Sequence, residues 1–159
     1  MRRRLALSLL VVLFVLSLAG CSDKNEETVP GEAVQSAKYP LALMSAEVSL
    51  NDGGKPEVRV IVKNISRKTI DAYTVGIYCF DRFGNQVKRN GFGSNRYAGI
   101  NQSTVRPGET FGSDYFWTLH GQDNTAKIEV VLEKVHFTDD TVWLPQEGQK
   151  IAIKGVLDQ

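Results

Sequence analysis

The distribution of apolar positions divides the chain into three parts. Leu5 to Leu18 form one apolar run, broken only by Ser8 and Ser17. From Ser22 to about Lys38 apolar residues are sparse, and Asp23, Lys24, Asn25, Glu26, Glu27 and Glu32 set the character. From Tyr39 onward the pattern takes a period of two. Ala46, Val48 and Leu50 alternate with Glu47 and Ser49, and Val58, Val60 and Val62 alternate with Glu57, Arg59, Ile61 and Lys63. That period belongs to strands buried on one face. Ile70–Asp81 predicts a longer strand, Thr110–Leu119 another, and Lys127–Phe137 the most apolar one. In the last, Ile128, Val130 and Leu132 share a face, but Val135 and Phe137 continue it one residue out of step. One extra residue near Lys134, a β-bulge, restores the register. Turns are predicted at Asn51–Gly54, Asn64–Lys68, Asp81–Asn85 and Arg106–Glu109, where Asn, Asp, Pro and Gly cluster. Asp139-Asp140 predicts a further turn into Thr141-Val142-Trp143.

No stretch after residue 38 has a helical apolar period. The expected fold is therefore all-β: an antiparallel, immunoglobulin-like β-sandwich of about six to eight strands over residues 39–159. The antibody-type Cys…Trp…Cys spacing is absent, so the likeness is architectural. A small barrel is the second architecture compatible with the pattern.

Charge places the first two parts. Arg2, Arg3 and Arg4 precede the apolar run, which at 14 residues is shorter than the roughly 20 a spanning helix needs. Small residues Ala19 and Gly20 follow, which is the layout of a secretory leader over residues 1–20. Leu18-Ala19-Gly20-Cys21 resembles the lipobox of bacterial lipoproteins. That resemblance implies lipidation of the Cys21 thiol, cleavage before it, and a chain held on the extracytoplasmic face of a cell membrane through acylated Cys21. Two acyl chains suffice for stable anchoring where one gives only marginal binding. Residues 21–38 are then a tether, too polar to fold by themselves, with ends on the order of 20–25 Å apart as a flexible coil. Loss of the three leader arginines leaves 16 basic against 18 acidic residues, a net −2. Such a balance excludes bulk nucleic-acid binding, which requires a basic surplus.

A second resemblance lies in the β region. Val62-Lys-Asn-Ile-Ser66, Ile77-Tyr-Cys-Phe-Asp81 with Gly84-Asn85, and Pro107-Gly108-Glu109 are similar to the FxLYD-type immunoglobulin-like domains of bacterial surface lipoproteins, and to related domains of unknown function. The match spans about Glu57 to Val135. This chain departs from it with Cys79 inside the motif and a long insert before Pro107. The resemblance implies fold and location, and carries no catalytic set.

Catalytic signatures are missing. There is no G-x-S-x-G, P-loop, C-x-x-C or H-E-x-x-H. Gly91-Phe-Gly-Ser-Asn-Arg96 has Arg where a dinucleotide fingerprint requires Gly. His120 and His136 are far apart in sequence and lack ligand spacing, and Asp139-Asp140 fits a turn better than a calcium corner. No enzyme, cofactor or metal is expected. With Cys21 acylated, Cys79 is left alone, without a disulfide, and shares strand parity with Val75 and Ile77, as a buried apolar side chain would. Trp117 shares parity with Tyr115 and Leu119, which points to core packing.

One segment carries charge asymmetry. Arg82, Lys88, Arg89, Arg96 and Arg106 lie between residues 82 and 106 with no acidic residue among them. Phe92 and Tyr97 and four glycines are interleaved. Lys88, Arg89, Phe92, Arg96 and Tyr97 are the candidate ligand-binding set of a long loop. Basic groups beside accessible aromatics can engage anionic surfaces: an envelope protein, an anionic envelope polymer or lipid headgroups. The alternative is a solvated loop on a purely structural or accessory lipoprotein, whose charge keeps an edge strand from pairing. A hydrolytic enzyme is the third reading.

Overall fold

The computed structural model describes residues 39–157. The expected leader, the expected lipidation position Cys21 and the expected tether lie outside the described residues. Nine strands run in order: β1 Leu41–Leu50, β2 Pro56–Asn64, β3 Ile70–Phe80, β4 Arg96–Asn101, β5 Thr110–Phe111, β6 Phe116–Thr118, β7 Lys127–Phe137, β8 Val142–Trp143 and β9 Ala152–Val156. They form two antiparallel sheets, the expected sandwich. In one sheet β1 pairs with β2, and β5 and β6 pair with β2 at its two ends. In the other the order is β4-β3-β7, with β8 and β9 both on the far side of β7.

The core follows from the alternation. Val58, Val60 and Val62 of β2, Val75, Ile77 and Cys79 of β3, and Ile128, Val130 and Leu132 of β7 form one buried cluster. Each such aliphatic side chain contributes about 1.5–3 kcal/mol on leaving water. Its β-branched residues favour the extended backbone that places them there. The bulge is also where the face switch predicted it. Thr74 pairs with Lys134 and Val75 with Leu132, so Glu133 is the extra residue. Burial pushes the Cys79 thiol up to about 11.

Three expectations need correction. The strand expected over Thr110–Leu119 is two short strands. Gly112 stands between them at φ 113°, so close to the Val60 carbonyl that any side chain would collide with it. β1 begins at Leu41, ahead of the alternating stretch, with a register shift between Leu43 and Ser45, and Leu50 at its end is exposed. Residues 82–106 are not one loop, because β4 lies inside them and pairs along β3 from Tyr73 to Tyr78.

The sandwich has two poles. At the proximal pole the chain enters at Tyr39, and the Asn64–Thr69, Gln102–Glu109 and Thr138–Thr141 connections gather. At the distal pole lie the Asn51–Lys55 turn, the β3–β4 connection 81–95, the β6–β7 connection 119–126 and Leu157.

Candidate binding pole

The distal pole is built by short polar anchors. Asp81 ends β3 and closes the first turn: its Oδ1 accepts from the backbone N–H of Phe83 at 2.9 Å and of Asn85 at 2.8 Å, and its Oδ2 from Asn85 Nδ2 at 3.0 Å. The Asn85 amide and these N–H groups hold the Asp81 carboxyl below the usual carboxylate range. Gly84 takes φ 91°, which the turn requires and a side chain would oppose. Phe83 is left at the tip, 91% exposed.

The chain then returns to the core. Val87 N–H donates to the Cys79 carbonyl at 2.9 Å. A single 3-10 turn follows at Arg89–Gly91, with Asn90 at φ 50°. Phe92 emerges from it 82% exposed. Two contacts tie this turn to the neighbouring connection. Asn90 N–H donates to the Gly121 carbonyl at 2.6 Å. Gln122, 1% exposed, donates through Nε2 to the carbonyls of Val87 at 2.9 Å and Asn95 at 3.1 Å. Both partners are carbonyls, which only accept, so the amide orientation is fixed by chemistry. Two shallow hollows adjoin at the ridge of Asp81 and Asn124. One, of about 350 Å³, borders Lys88 and Gly91; the other, of about 330 Å³, borders Arg82 and Phe83.

Among the described residues Arg82, Lys88 and Arg89 have no carboxylate partner. Of the acids at this pole, Asp123 pairs with Lys55 at 3.0 Å, Asp81 caps its own turn, and Asp52 stands exposed in the Asn51–Lys55 turn. The pole thus offers two projecting rings and three cations without an ion pair on a hydrogen-bonded backbone.

The family of unknown function DUF5780 matches residues 57–147, more than half of the chain. The chain belongs to the DUF5780 family. No curated protein and no solved structure matches it. The DUF5780 span runs from β2 to just beyond β8 and covers the residues that resemble FxLYD-type domains. It takes in the 81–95 and 119–126 connections of the distal pole. It also contains the element that organises the proximal pole, Asn64. This buried side chain donates to the carbonyls of Lys68 and Val105, both at 2.8 Å, and accepts from Ser66 N–H at 2.9 Å and Ser66 Oγ at 2.7 Å. The Asn64 backbone bonds Glu109 and Gly108. The Asn-x-Ser and Pro-Gly-Glu motifs of this DUF5780 chain are therefore two halves of one packed corner.

Of the five candidate ligand-binding residues, Lys88, Arg89 and Phe92 lie at the distal pole. Arg96 and Tyr97 do not join them: they are neighbours on β4 and point to opposite faces. Arg96 lies on the outer face, where it pairs with Glu133, donating through Nε at 2.7 Å, above Gly76. That carboxylate raises the Arg96 pKa further. Tyr97 is half-buried and packs on the core. Arg106 lies at the proximal pole. Sequence reasoning did not single out Phe83 as a site residue, although the Asp-x-Phe-Gly-Asn spacing could have revealed it. An Asp side chain that caps the N–H groups two and four residues on closes a tight turn and leaves the residue two on at its tip.

Other clusters have local explanations. His136 Nδ1 meets Asp71 Oδ1 at 2.6 Å on the outer face of the second sheet. Asp139 pairs with Lys68 at 2.8 Å and holds its own turn, with Asp140 at φ 60°. Trp117 is buried in the core, and Trp143 packs edge-on to Tyr39. Among the described residues no three His, Cys, Asp or Glu side chains converge as a metal site, and no helix is long and apolar enough to cross a membrane.

Proposed function

We propose that this DUF5780 chain is a lipid-anchored envelope protein whose β-sandwich is a non-catalytic binding module acting through its distal pole. The observation that carries the reading is the pair of rings at Phe83 and Phe92, held almost fully in water beside Arg82, Lys88 and Arg89. An exposed ring forgoes roughly 1.5–3 kcal/mol of burial. A backbone fixed by Asp81, Gly84, Asn90 and Gln122 keeps both rings outward even without a partner. A merely solvated connection needs no such scaffold. The anchor rests on the lipobox-like Leu18-Ala19-Gly20-Cys21. The competing reading, a structural lipoprotein working through sheet edges, has less support: the Ile100 carbonyl on edge strand β4 is capped by Tyr115 Oη and Trp117 Nε1, both at 3.3 Å.

Two experiments test the two halves. Cys21→Ser should release the chain from the membrane fraction of the expressing bacterium; unchanged membrane retention would contradict the anchor. Phe83→Ala with Phe92→Ala should abolish photo-crosslinks formed from Asn124 at the pole while leaving the unfolding midpoint unchanged. Retained crosslinks would contradict the binding role.

A further inference from the structure

We infer that the surface this pole engages is the anionic bilayer that carries the chain's own anchor. The inference rests on the anchored, pole-binding reading and names its partner. Three observations lead there. First, the pole is convex where it is apolar. Phe83 and Phe92 project into water, and the two hollows of this pole are shallow. Projecting rings need an acceptor that opens around them, and the interfacial zone of a bilayer does so without a preformed pocket.

Second, the charge matches. Arg82, Lys88 and Arg89 flank the rings, and among the described residues none of the three is ion-paired. Each cation near an anionic leaflet strengthens binding by about fivefold. Each ring that reaches the acyl boundary adds about tenfold, since only part of it is buried there.

Third, the connection is long enough. The chain enters at the proximal pole, so docking by the distal pole requires residues 21–38 to run back along the sandwich. β1, with 10 residues, traverses that length at about 33 Å. The 18 residues from Cys21 to Lys38 can span at most about 60 Å. The domain can therefore lie pole-down on the leaflet into which Cys21 is inserted. A segment of six residues, at most about 20 Å, could not allow it.

The first test uses the acyl-free chain from Ser22 onward, which retains the whole core. Vesicles of equal parts phosphatidylglycerol and phosphatidylcholine are compared with pure phosphatidylcholine by flotation. The wild type should float with the anionic vesicles and release as salt rises, since exposed charges are screened over about 8–10 Å. The triple variant Arg82→Gln, Lys88→Gln, Arg89→Gln should bind about 100-fold more weakly with little salt dependence left. Phe83→Ala with Phe92→Ala should lose about 100-fold at every salt concentration. Unchanged urea midpoints show that each variant is folded. Absence of wild-type binding to anionic vesicles overturns the bilayer assignment. If the same chain then binds isolated wall polymer or an acidic protein through the pole, the pole reading stands without the bilayer. Vesicle binding indifferent to all five substitutions overturns both. The second test labels Asn124→Cys in the acylated chain on native membranes with an impermeant maleimide; buried Cys79 stays silent. Residue 124 should be shielded, and deletion of residues 24–35 should uncover it. Equal labelling of the two overturns docking on the chain's own membrane.

Discussion

Gln122→Met separates the order of the distal pole from the stability of the sandwich. Methionine fills nearly the same volume, so packing changes by little. The loss is two hydrogen bonds, to the Val87 and Asn95 carbonyls, each worth about 1 kcal/mol net. The Asn95 carbonyl keeps a second donor, the Cys79 N–H at 2.9 Å. The Val87 carbonyl has no other partner among the described residues, and a buried orphan carbonyl costs about 1 kcal/mol more. Part of this is recovered, because the Gln122 Oε1 atom is itself buried without a donor and disappears with the substitution. The balance is about 2 kcal/mol against the closed pole, or roughly 30-fold in its opening equilibrium. Amide hydrogen exchange reads this directly. The Val87 and Asn90 amides should exchange about 30-fold faster, whereas Ile65 and Ser66, at the opposite pole, should keep their wild-type rates. Wild-type exchange at Val87 and Asn90 would refute the clasp. A uniform acceleration at both poles would refute the idea that the distal pole opens as a local unit.

Three further outcomes follow from the same accounting. Asn64→Ala removes four side-chain hydrogen bonds, but the Lys68 and Val105 carbonyls keep Ser66 Oγ and Ile70 N–H, so urea unfolding should show a loss of about 2–4 kcal/mol; Asn51→Ala, which breaks a similar pattern in an exposed turn, should lose about 1 kcal/mol or less. The Asp139 carboxyl is held at about 2 by Lys68 first and the Thr141 hydroxyl second. Its folded value lies below the unfolded value of about 3.9, so its contribution is complete above that pH and is lost as pH falls through about 2; an NMR titration should find Asp139 moved up in Lys68→Ala, and an unmoved value would contradict the pairing. The chain from Ser22 onward should show one thiol in urea and almost none in buffer, because Cys79 is fully buried with its pKa near 11; fast reaction of the folded protein would place Cys79 outside the core.

The legible parts of the fold are those where one face is uniformly apolar. β2 keeps one face apolar at Val58, Val60 and Val62, and the displaced register of Val135 and Phe137 placed the bulge near Lys134, next to the extra residue Glu133. β4 was illegible for a physical reason. Its inward positions are Tyr97, Gly99 and Asn101, and Gly99 is glycine because a Cβ there would lie 2.9 Å from Val75 Cγ2 and 3.1 Å from the Trp117 ring. A strand whose core face is a glycine beneath a tryptophan leaves no apolar period. Gly112 hides the break between β5 and β6 in the same way, since the obstacle is the backbone of another strand. The candidate site was legible as charge and composition: Lys88, Arg89 and Phe92 do share a pole. Its geometry was not, because a list of residues cannot tell a turn tip from a strand. That distinction removed Arg96 and Tyr97 and brought in Phe83.

Crosslinking in intact cells tests the central claim most directly. A photoreactive residue is placed at Phe83 or Phe92 of the full chain, and at Leu144 and Met44 as exposed apolar positions away from the distal pole. The binding account predicts discrete covalent adducts, lipid or protein, from residues 83 and 92 and none above background from 144 and 44. Equal adducts from all four positions, or none from the distal pole, would contradict it.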